Sequence, residues 1–280
     1  MLVVEEVERP EPGPTEVLIR VAAAGVNPVD WKVRSGGGFL GEPPFTVGWD
    51  VAGTVEALGR GVTWLARGDR VFGMPRFPRE AACYAEYVVS PSRHLARTPD
   101  AWSDVEAGAV PLAGLTAWQA LVETAGVREG SRVLVLGAAG GVGHLAVQIA
   151  KARGAWVAGT SSVEKHAFLR ELGVDEPLDK QGPLEVDVEM VFDAVGGDAA
   201  LAAPPTARVV TVSASSVAPL SEAGRDAVGI LVEPDRGGLE GLVAAGVRPH
   251  VEATFALEQA GTAHALGEQG RTRGKIVLVP

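Results

Sequence analysis

Seven residues, Gly137-Ala-Ala-Gly-Gly-Val-Gly143, have the types and spacing to hold a diphosphate. They follow an apolar, β-branched run at 132–136 and open a stretch of helical period at 144–153. A strand, a glycine turn and a helix N-terminus together make an anion site. Glycines without Cβ let phosphate approach the backbone, and the unpaired N–H groups and helix dipole favour its charge. A glycine run alone marks only a tight turn. Here the flanks point to a dinucleotide, with Ala139, Gly140, Gly141, Val142 and Gly143 lining its pyrophosphate.

A second stretch bears on which dinucleotide. Rossmann domains that prefer NAD carry Asp or Glu at the end of the second strand, about 20 residues past the glycines, to bind the ribose 2′-hydroxyl. That position reads Thr160-Ser-Ser-Val-Glu-Lys165. Hydroxyls at Ser161 and Ser162 can donate to a 2′-phosphate, and Lys165 adds positive charge. NADPH is therefore expected. Glu164, adjacent and acidic, is read as favourable charge at a helix start. Val195 and Ser213, just past strands expected at 190–194 and 208–212, are further expected cofactor contacts.

The elements that must position these residues are legible by pattern. Residues 17–23, 51–57, 69–73 and 84–89 read as short strands with frequent Gly and Pro punctuation, which suggests a small barrel or sandwich. Residues 27–44 read as a long loop of the kind that often carries function. Helical patterning begins near Trp102, with Ser103 and Glu106 placed as a capping box. Strands at 132–136, 156–160, 190–194, 208–212 and 228–232 alternate with helical stretches, which predicts a parallel, doubly wound sheet. The 197–208 and 180–187 connections are too short for a full crossover helix, and Pro204 and Pro205 would end one. The tail reads as helix 239–245, extended 249–253, helix 257–266 and strand 274–279.

Composition bounds the function. The 280 residues suggest two domains. A formal net charge of −10 disfavours non-specific binding to nucleic acid or anionic membrane. No apolar run reaches the roughly 18 residues of a membrane helix. The first residues lack the basic and apolar regions of a signal peptide. The single cysteine, Cys83, excludes an internal disulfide and fits a reducing cytoplasm.

Eight markers in order resemble one family. They are Gly25-Val-Asn-Pro-Val-Asp30, Gly48-Trp-Asp-Val-Ala-Gly53, 59–72, Tyr84-Ala-Glu-Tyr87, Gly114-Leu-Thr-Ala117, 138–143, Phe192-Asp-Ala-Val-Gly-Gly197 and Thr272-Arg-Gly-Lys-Ile-Val277. The chain resembles the zinc-independent, quinone oxidoreductase-like medium-chain dehydrogenase/reductases. The resemblance implies an α/β fold: a GroES-like β-barrel domain (1–110), a Rossmann domain (111–240), and a segment (241–280) returning to the barrel, with the active site in the cleft. It also implies a homodimer, and it makes residues 2–6 the family's second strand, so that either the start is misassigned or the barrel lacks its first, edge strand.

Zinc-dependent relatives carry a cysteine at Asn27, a histidine at Trp49 and a further cysteine within 110–116. A zinc site needs about four N, S or O ligands, and the five histidines show no ligand spacing. No metal is expected. The resemblance places Asn27, Asp30 and Thr116 near the nicotinamide. Asn27 could orient the carboxamide or substrate through its amide, and Asp30 could hold the loop by accepting backbone bonds. Trp31, Phe39, Trp49 and Phe77 could wall an apolar pocket for a flat, small-molecule substrate. The expected function is NADPH-dependent reduction of a quinone or α,β-unsaturated carbonyl. The alternatives are an enoyl-thioester reductase and a catalytically weak NADPH-binding or sensing protein.

Overall fold

The computed structural model describes residues 2–36 and 38–280. In chain order the elements begin with β1 (Glu16–Val26), α1 (Pro28–Arg34), β2 (Val51–Leu58), β3 (Arg70–Gly73), β4 (Tyr87–Pro91), β5 (Leu95–Arg97) and α2 (Asp104–Ala109). There follow α3 (Pro111–Trp118), β6 (Arg132–Leu136), α4 (Gly143–Ala152), β7 (Trp156–Ser161), α5 (His166–Glu171), β8 (Glu176–Asp179), β9 (Met190–Asp193), β10 (Arg208–Thr211), α6 (Ala214–Glu222) and β11 (Ala227–Gly229). The last are α7 (Arg236–Ala244), β12 (Val251–Ala256), α8 (Ala260–Glu268) and β13 (Lys275–Val279).

Two compact units result. The first comprises residues 1–115, 233–243 and 249–280, and the second 116–232 and 244–248. Residues 111–115 and 233–240, expected in the Rossmann domain, group with the first unit, and residues 244–248, expected in the returning segment, group with the second. In the first unit, strands run in the order β12-β13-β1-β2-β3-β5, with β4 also pairing β1. β12 and β13 are parallel and the other pairs antiparallel. In the second unit, six parallel strands run β11-β10-β9-β6-β7-β8. The central strand β6 is apolar because both of its faces are covered: Val133, Leu134, Val135 and Leu136 are all buried. Each contributes about 1.5–3 kcal/mol by leaving water.

Local signals explain most boundaries. Ser103 accepts from the Glu106 N–H at 3.1 Å, and the Glu106 carboxylate accepts from the Ser103 N–H at 2.8 Å, which starts α2. The β9–β10 connection holds only a short 3-10 turn, Gly197–Ala199, and no full helix.

Several expectations are corrected. Residues 27–44 are not one loop: Pro28 fixes its own φ at a helix-compatible value and starts α1. Gly37, within that stretch, lies outside the described residues, as does Met1. Residues 2–6 form no strand, because no described strand pairs with them; Val3 and Val4 are exposed. The strand expected at 84–89 is β4, three residues later, because Tyr84 is drawn into side-chain bonds described below. α6 was not expected; its Ser/Ala composition and internal Pro219 hide the helical period. A wider π segment, Gln119–Thr124, continues α3.

Candidate functional site

The glycine turn stands at the C-terminal end of β6. Gly137 adopts φ +74°, its N–H donates to Thr160 Oγ1 at 3.0 Å, and the Ala138 N–H donates to the Thr160 carbonyl at 2.9 Å. The turn is thereby tied to β7. A Cβ on Gly143 would lie 2.2 Å from the Gly137 carbonyl oxygen, so only glycine allows α4 to start so close to β6. A Cβ on Gly140 would meet only that same oxygen, at 3.3 Å. The space beyond is an open cradle. His144, fully buried on the first turn of α4, places Nδ1 2.9 Å from the Gly140 carbonyl. A carbonyl only accepts, so Nδ1 carries the proton.

Asp193 shapes the next strand end. Its Oδ1 accepts from the Val195 and Gly196 N–H groups at 3.0 and 2.8 Å, and its Oδ2 accepts from the Thr211 hydroxyl at 2.7 Å. The resulting turn leaves Val195 exposed, its Cγ2 2.6 Å from where a Gly137 Cβ would be. Ser213 follows β10, its N–H donating to Thr211 Oγ1 at 3.0 Å. The turns after β6, β9 and β10 and the end of β7 thus lie along the carboxyl edge of four adjacent parallel strands. The strand order reverses between β6 and β9, the place where open α/β sheets bind ligands. The residues fit a dinucleotide. The sequence marks Asp193 only as part of the Phe192-Asp-Ala-Val-Gly-Gly197 marker and not as a residue that braces the site.

The ribose end departs from expectation. Ser161 Oγ donates to the Ser162 carbonyl at 3.0 Å, and Ser162 Oγ donates to Glu164 Oε1 at 2.5 Å. Both hydroxyls thus bond within the turn. The Ser162 bond holds the Glu164 carboxyl below its usual range. Glu164 therefore acts on Ser162 and not simply as helix-start charge. α5 itself begins two residues later, at His166, and Lys165 lies in the preceding 3-10 turn.

In the first unit, a buried polar cluster forms at the start of α1. Asp30 Oδ2 accepts from the Asn27 N–H at 2.7 Å and the Tyr84 hydroxyl at 2.9 Å. The Asn27 amide nitrogen donates to Asp50 Oδ2 at 2.8 Å, and Lys275 Nζ donates to Asn27 Oδ1 and, at 3.0 Å, to the Val26 carbonyl. Lys275 also pairs with Asp50 Oδ2 at 3.4 Å, while Asp50 Oδ1 accepts from the Leu112 N–H at 2.6 Å. Asn27 is 1% exposed. The expectation that its amide faces nicotinamide or substrate is corrected: its oxygen serves Lys275 and its nitrogen serves Asp50. Asp30 does hold the loop through a backbone bond. Thr116, buried on α3, lies in the second unit.

Asp50, Tyr84, His264 and Lys275 were missed as site residues. The signal for Lys275 was a cation heading the apolar run Ile-Val-Leu-Val; for Asp50, a carboxylate beside Val-Ala-Gly. The aromatic quartet is only partly assembled. Phe77 stacks edge-on with Phe39 and with Trp49, each at 5.5 Å. Trp49 is fully buried and donates its indole N–H to the Arg79 carbonyl at 2.7 Å, so it fills core rather than walling a pocket. Trp31 stands apart, edge-on to His264 at 6.0 Å. A separate cavity of about 400 Å³, lined by Trp64, Arg97, Arg236 and Glu240 among others, contains none of these residues.

The donor set does not fit zinc. At two of the three positions where zinc-dependent relatives ligate, Asn27 Oδ1 is taken by an ammonium and Trp49 offers only a committed N–H, and the third, within 110–116, has no cysteine. Among the described residues no group of three His, Cys, Asp or Glu could hold a metal. No helix among them is long and apolar enough to cross a membrane.

Burial pushes the Asp30 carboxyl up to about 7, and raises Asp50, Tyr84 and the Cys83 thiol as well. Burial, then Arg34, pushes His264 down to about 4. The signs predict a pH profile. A raised carboxyl favours folding below its unfolded pKa near 4, and that contribution fades as pH rises through 7. A lowered histidine favours folding above about 6.5, and its contribution fades as pH falls toward 4. The two oppose each other between pH 4 and 6.5. His264→Gln removes the opposing member, so denaturant unfolding should show stability falling more steeply with pH than in the parent, by up to about 1.4 kcal/mol per pH unit. Parallel profiles would show that His264 is not held neutral.

Two family models match. Residues 13–100 match the alcohol dehydrogenase GroES-like domain and residues 172–278 the zinc-binding dehydrogenase domain. The 2-methylene-furan-3-one reductase of Solanum lycopersicum is 34% identical over 95% of this chain and 72% of its own. The mitochondrial NAD(P)H oxidoreductase RTN4IP1 of Danio rerio is 34% identical over 66% of this chain, and the match spans only 54% of that relative. Among solved structures, the quinone oxidoreductase of Coxiella burnetii superposes with a TM-score of 0.90 and 34% identity, covering 98% of this chain and 93% of that one. The chain belongs to the medium-chain dehydrogenase/reductase family.

Proposed function

We propose that this chain is an NADPH-dependent reductase that delivers hydride to a quinone or an α,β-unsaturated carbonyl without a metal. The observation that carries the reading is the gathering of the glycine turn, Val195 and Ser213 on one carboxyl edge of the parallel sheet. When bound there, the reduced nicotinamide supplies the hydride. The chain's own residues bind and orient: the start of α4 takes the pyrophosphate, and the Asp193-braced turn presents Val195. A buried ammonium, Lys275, engages the side-chain oxygen of Asn27, one of the positions where zinc-dependent relatives carry a ligand. Conjugated acceptors suit such a site, because their electrons delocalise once hydride arrives and no Lewis acid is required. The relatives' names, an enone reductase and a quinone oxidoreductase, support the same class. A homodimer in a reducing cytoplasm completes the reading.

The test is NADPH consumption against a panel of quinones, enals, enones and enoyl thioesters. Turnover of at least one quinone or enone is expected, with a lower KM for NADPH than for NADH. Binding without turnover across the panel would instead favour a sensing protein. Glu164→Ala frees the Ser162 hydroxyl and removes a negative charge, so it should lower the NADPH KM while leaving that for NADH nearly unchanged. Equal shifts for both cofactors would place Glu164 away from the 2′-phosphate.

A further inference from the structure

The hydrogen bonds around Asp30 have a fixed direction. Arg34 carries only donors, and its Nη1 lies 3.3 Å from His264 Nδ1. His264 Nδ1 therefore accepts, and the neutral ring carries its proton on Nε2. That N–H faces the Tyr84 hydroxyl oxygen at 3.1 Å. The single phenolic proton then goes to Asp30 Oδ2 at 2.9 Å. Arg34 is itself held by Glu268 at 2.6 Å. The line runs from a half-exposed ion pair between α1 and α8 to a fully buried carboxylate.

Two further observations show that the line is built. A Cβ on Gly48 would lie 2.3 Å from Tyr84 Cδ1, and Gly48 adopts φ +99°, so the turn before Trp49 and Asp50 is shaped around the phenol ring. A Cβ on Gly267 would lie 2.7 Å from the Trp31 indole, which packs edge-on to His264. Asp30 Oδ1 is buried with no hydrogen-bond partner. The carboxylate is thus held through Oδ2 alone, by Tyr84 and by the Asn27 N–H.

We propose that Tyr84 and His264 are positioning residues, which keep Asp30 ionised and thereby fix the backbone of Asn27 at the start of α1. The inference rests on the reductase reading for its activity readout only. The charged and titratable groups facing Asp30 are Asp50, Lys275, Tyr84 and Cys83, with His264, Arg34 and Glu268 behind the phenol. Of these, only Tyr84 donates a side-chain hydrogen bond to it. Without that bond, burial favours the neutral acid. A proton on the unpartnered Oδ1 replaces the charge-assisted bond from the Asn27 N–H to Oδ2 by a weaker neutral one, and Asn27 joins Asp50 to Lys275. An acid limb is therefore expected in the pH profile of kcat/KM, set by Asp30.

Tyr84→Phe keeps the ring and deletes only the hydroxyl. Its acid limb should move to higher pH by about one unit, with the KM for the dinucleotide unchanged. His264→Gln places an amide N–H near the former Nε2 and should restore the parent profile, whereas His264→Leu should shift it as Tyr84→Phe does. The glutamine–leucine pair decides the matter if Tyr84→Phe folds poorly. Carbon-13 NMR of side-chain-labelled aspartate reads the same event without catalysis. The Asp30 resonance, assigned through Asp30→Asn, should titrate near neutrality in the parent and higher in Tyr84→Phe. An unmoved resonance in Tyr84→Phe, or glutamine and leucine variants that behave alike, overturns the proposal. A parent that titrates as expected but reduces no acceptor overturns the reductase reading and supports the positioning role.

Discussion

Lys275→Met is expected to remove about 3–5 kcal/mol of unfolding free energy, the cost of leaving a buried charge without its partner. Lys275 is 2% exposed at its side chain and Asp50 is fully buried. The ammonium touches three acceptors: the Val26 carbonyl, Asn27 Oδ1 and Asp50 Oδ2. Methionine fills the same volume without charge. Asp50 then keeps only the Asn27 amide and the Leu112 N–H. Burial already raises the Asp50 carboxyl, and Lys275 is the largest opposing influence. The variant should therefore regain stability on acidification, as Asp50 takes up a proton. Adding Asp50→Asn should recover most of the loss at neutral pH. Denaturant unfolding of both single variants and the double variant measures the coupling. A single-variant loss below about 1 kcal/mol, as for a surface pair, would refute the account.

The second large effect separates fold from binding in the glycine turn. Gly140→Ala should fold with nearly the parent's melting temperature, because its Cβ meets only one atom, at 3.3 Å. It should nonetheless weaken dinucleotide binding by roughly tenfold to a hundredfold, equivalent to losing one charge-assisted hydrogen bond, because the methyl enters the phosphate cradle. Gly143→Ala should lose both. Its Cβ would stand 2.2 Å from the Gly137 carbonyl oxygen and 2.8 Å from Ala138 Cα, and neither backbone atom can swing aside as a side chain would. Overpacking of this kind costs about 1–3 kcal/mol. Calorimetric binding of NADPH alongside thermal melts reads both effects. Tight binding by Gly140→Ala would put the phosphate elsewhere.

The parallel sheet and its glycine turn were legible because both are local. Strand period, glycine spacing and helix onset lie within about twenty consecutive residues, 132–152, and each follows from short-range sterics. The Ser103–Glu106 capping box was legible for the same reason. The buried cluster was not, because its bonds join distant positions. Asn27 looked available for chemistry while its partners, Asp50 and Lys275, could be placed beside it only by strand pairing of β1 with β2 and β13. Tyr84 and His264 lie 180 positions apart. Trp49 misled for a related reason: an aromatic in a Gly-rich turn reads as pocket wall, and only the packing of Phe77 shows it to be core. Ser162 misled because a hydroxyl's partner depends on one side-chain rotation, here toward Glu164.

The 248 positions between Asn27 and Lys275 also matter during synthesis. On the ribosome, β1, α1 and β2 emerge first, and Asp50 must wait for its counter-ion until Lys275, 225 positions later, has been made. The second unit, whose sheet strands are contiguous from β6 to β11, can close meanwhile. The first unit thus keeps an open seam, hydrated and unneutralised, until β13 slots between β12 and β1. Closure of that sheet has to wait for synthesis of β13, and a nascent chain stalled before β13 is an early client for chaperones.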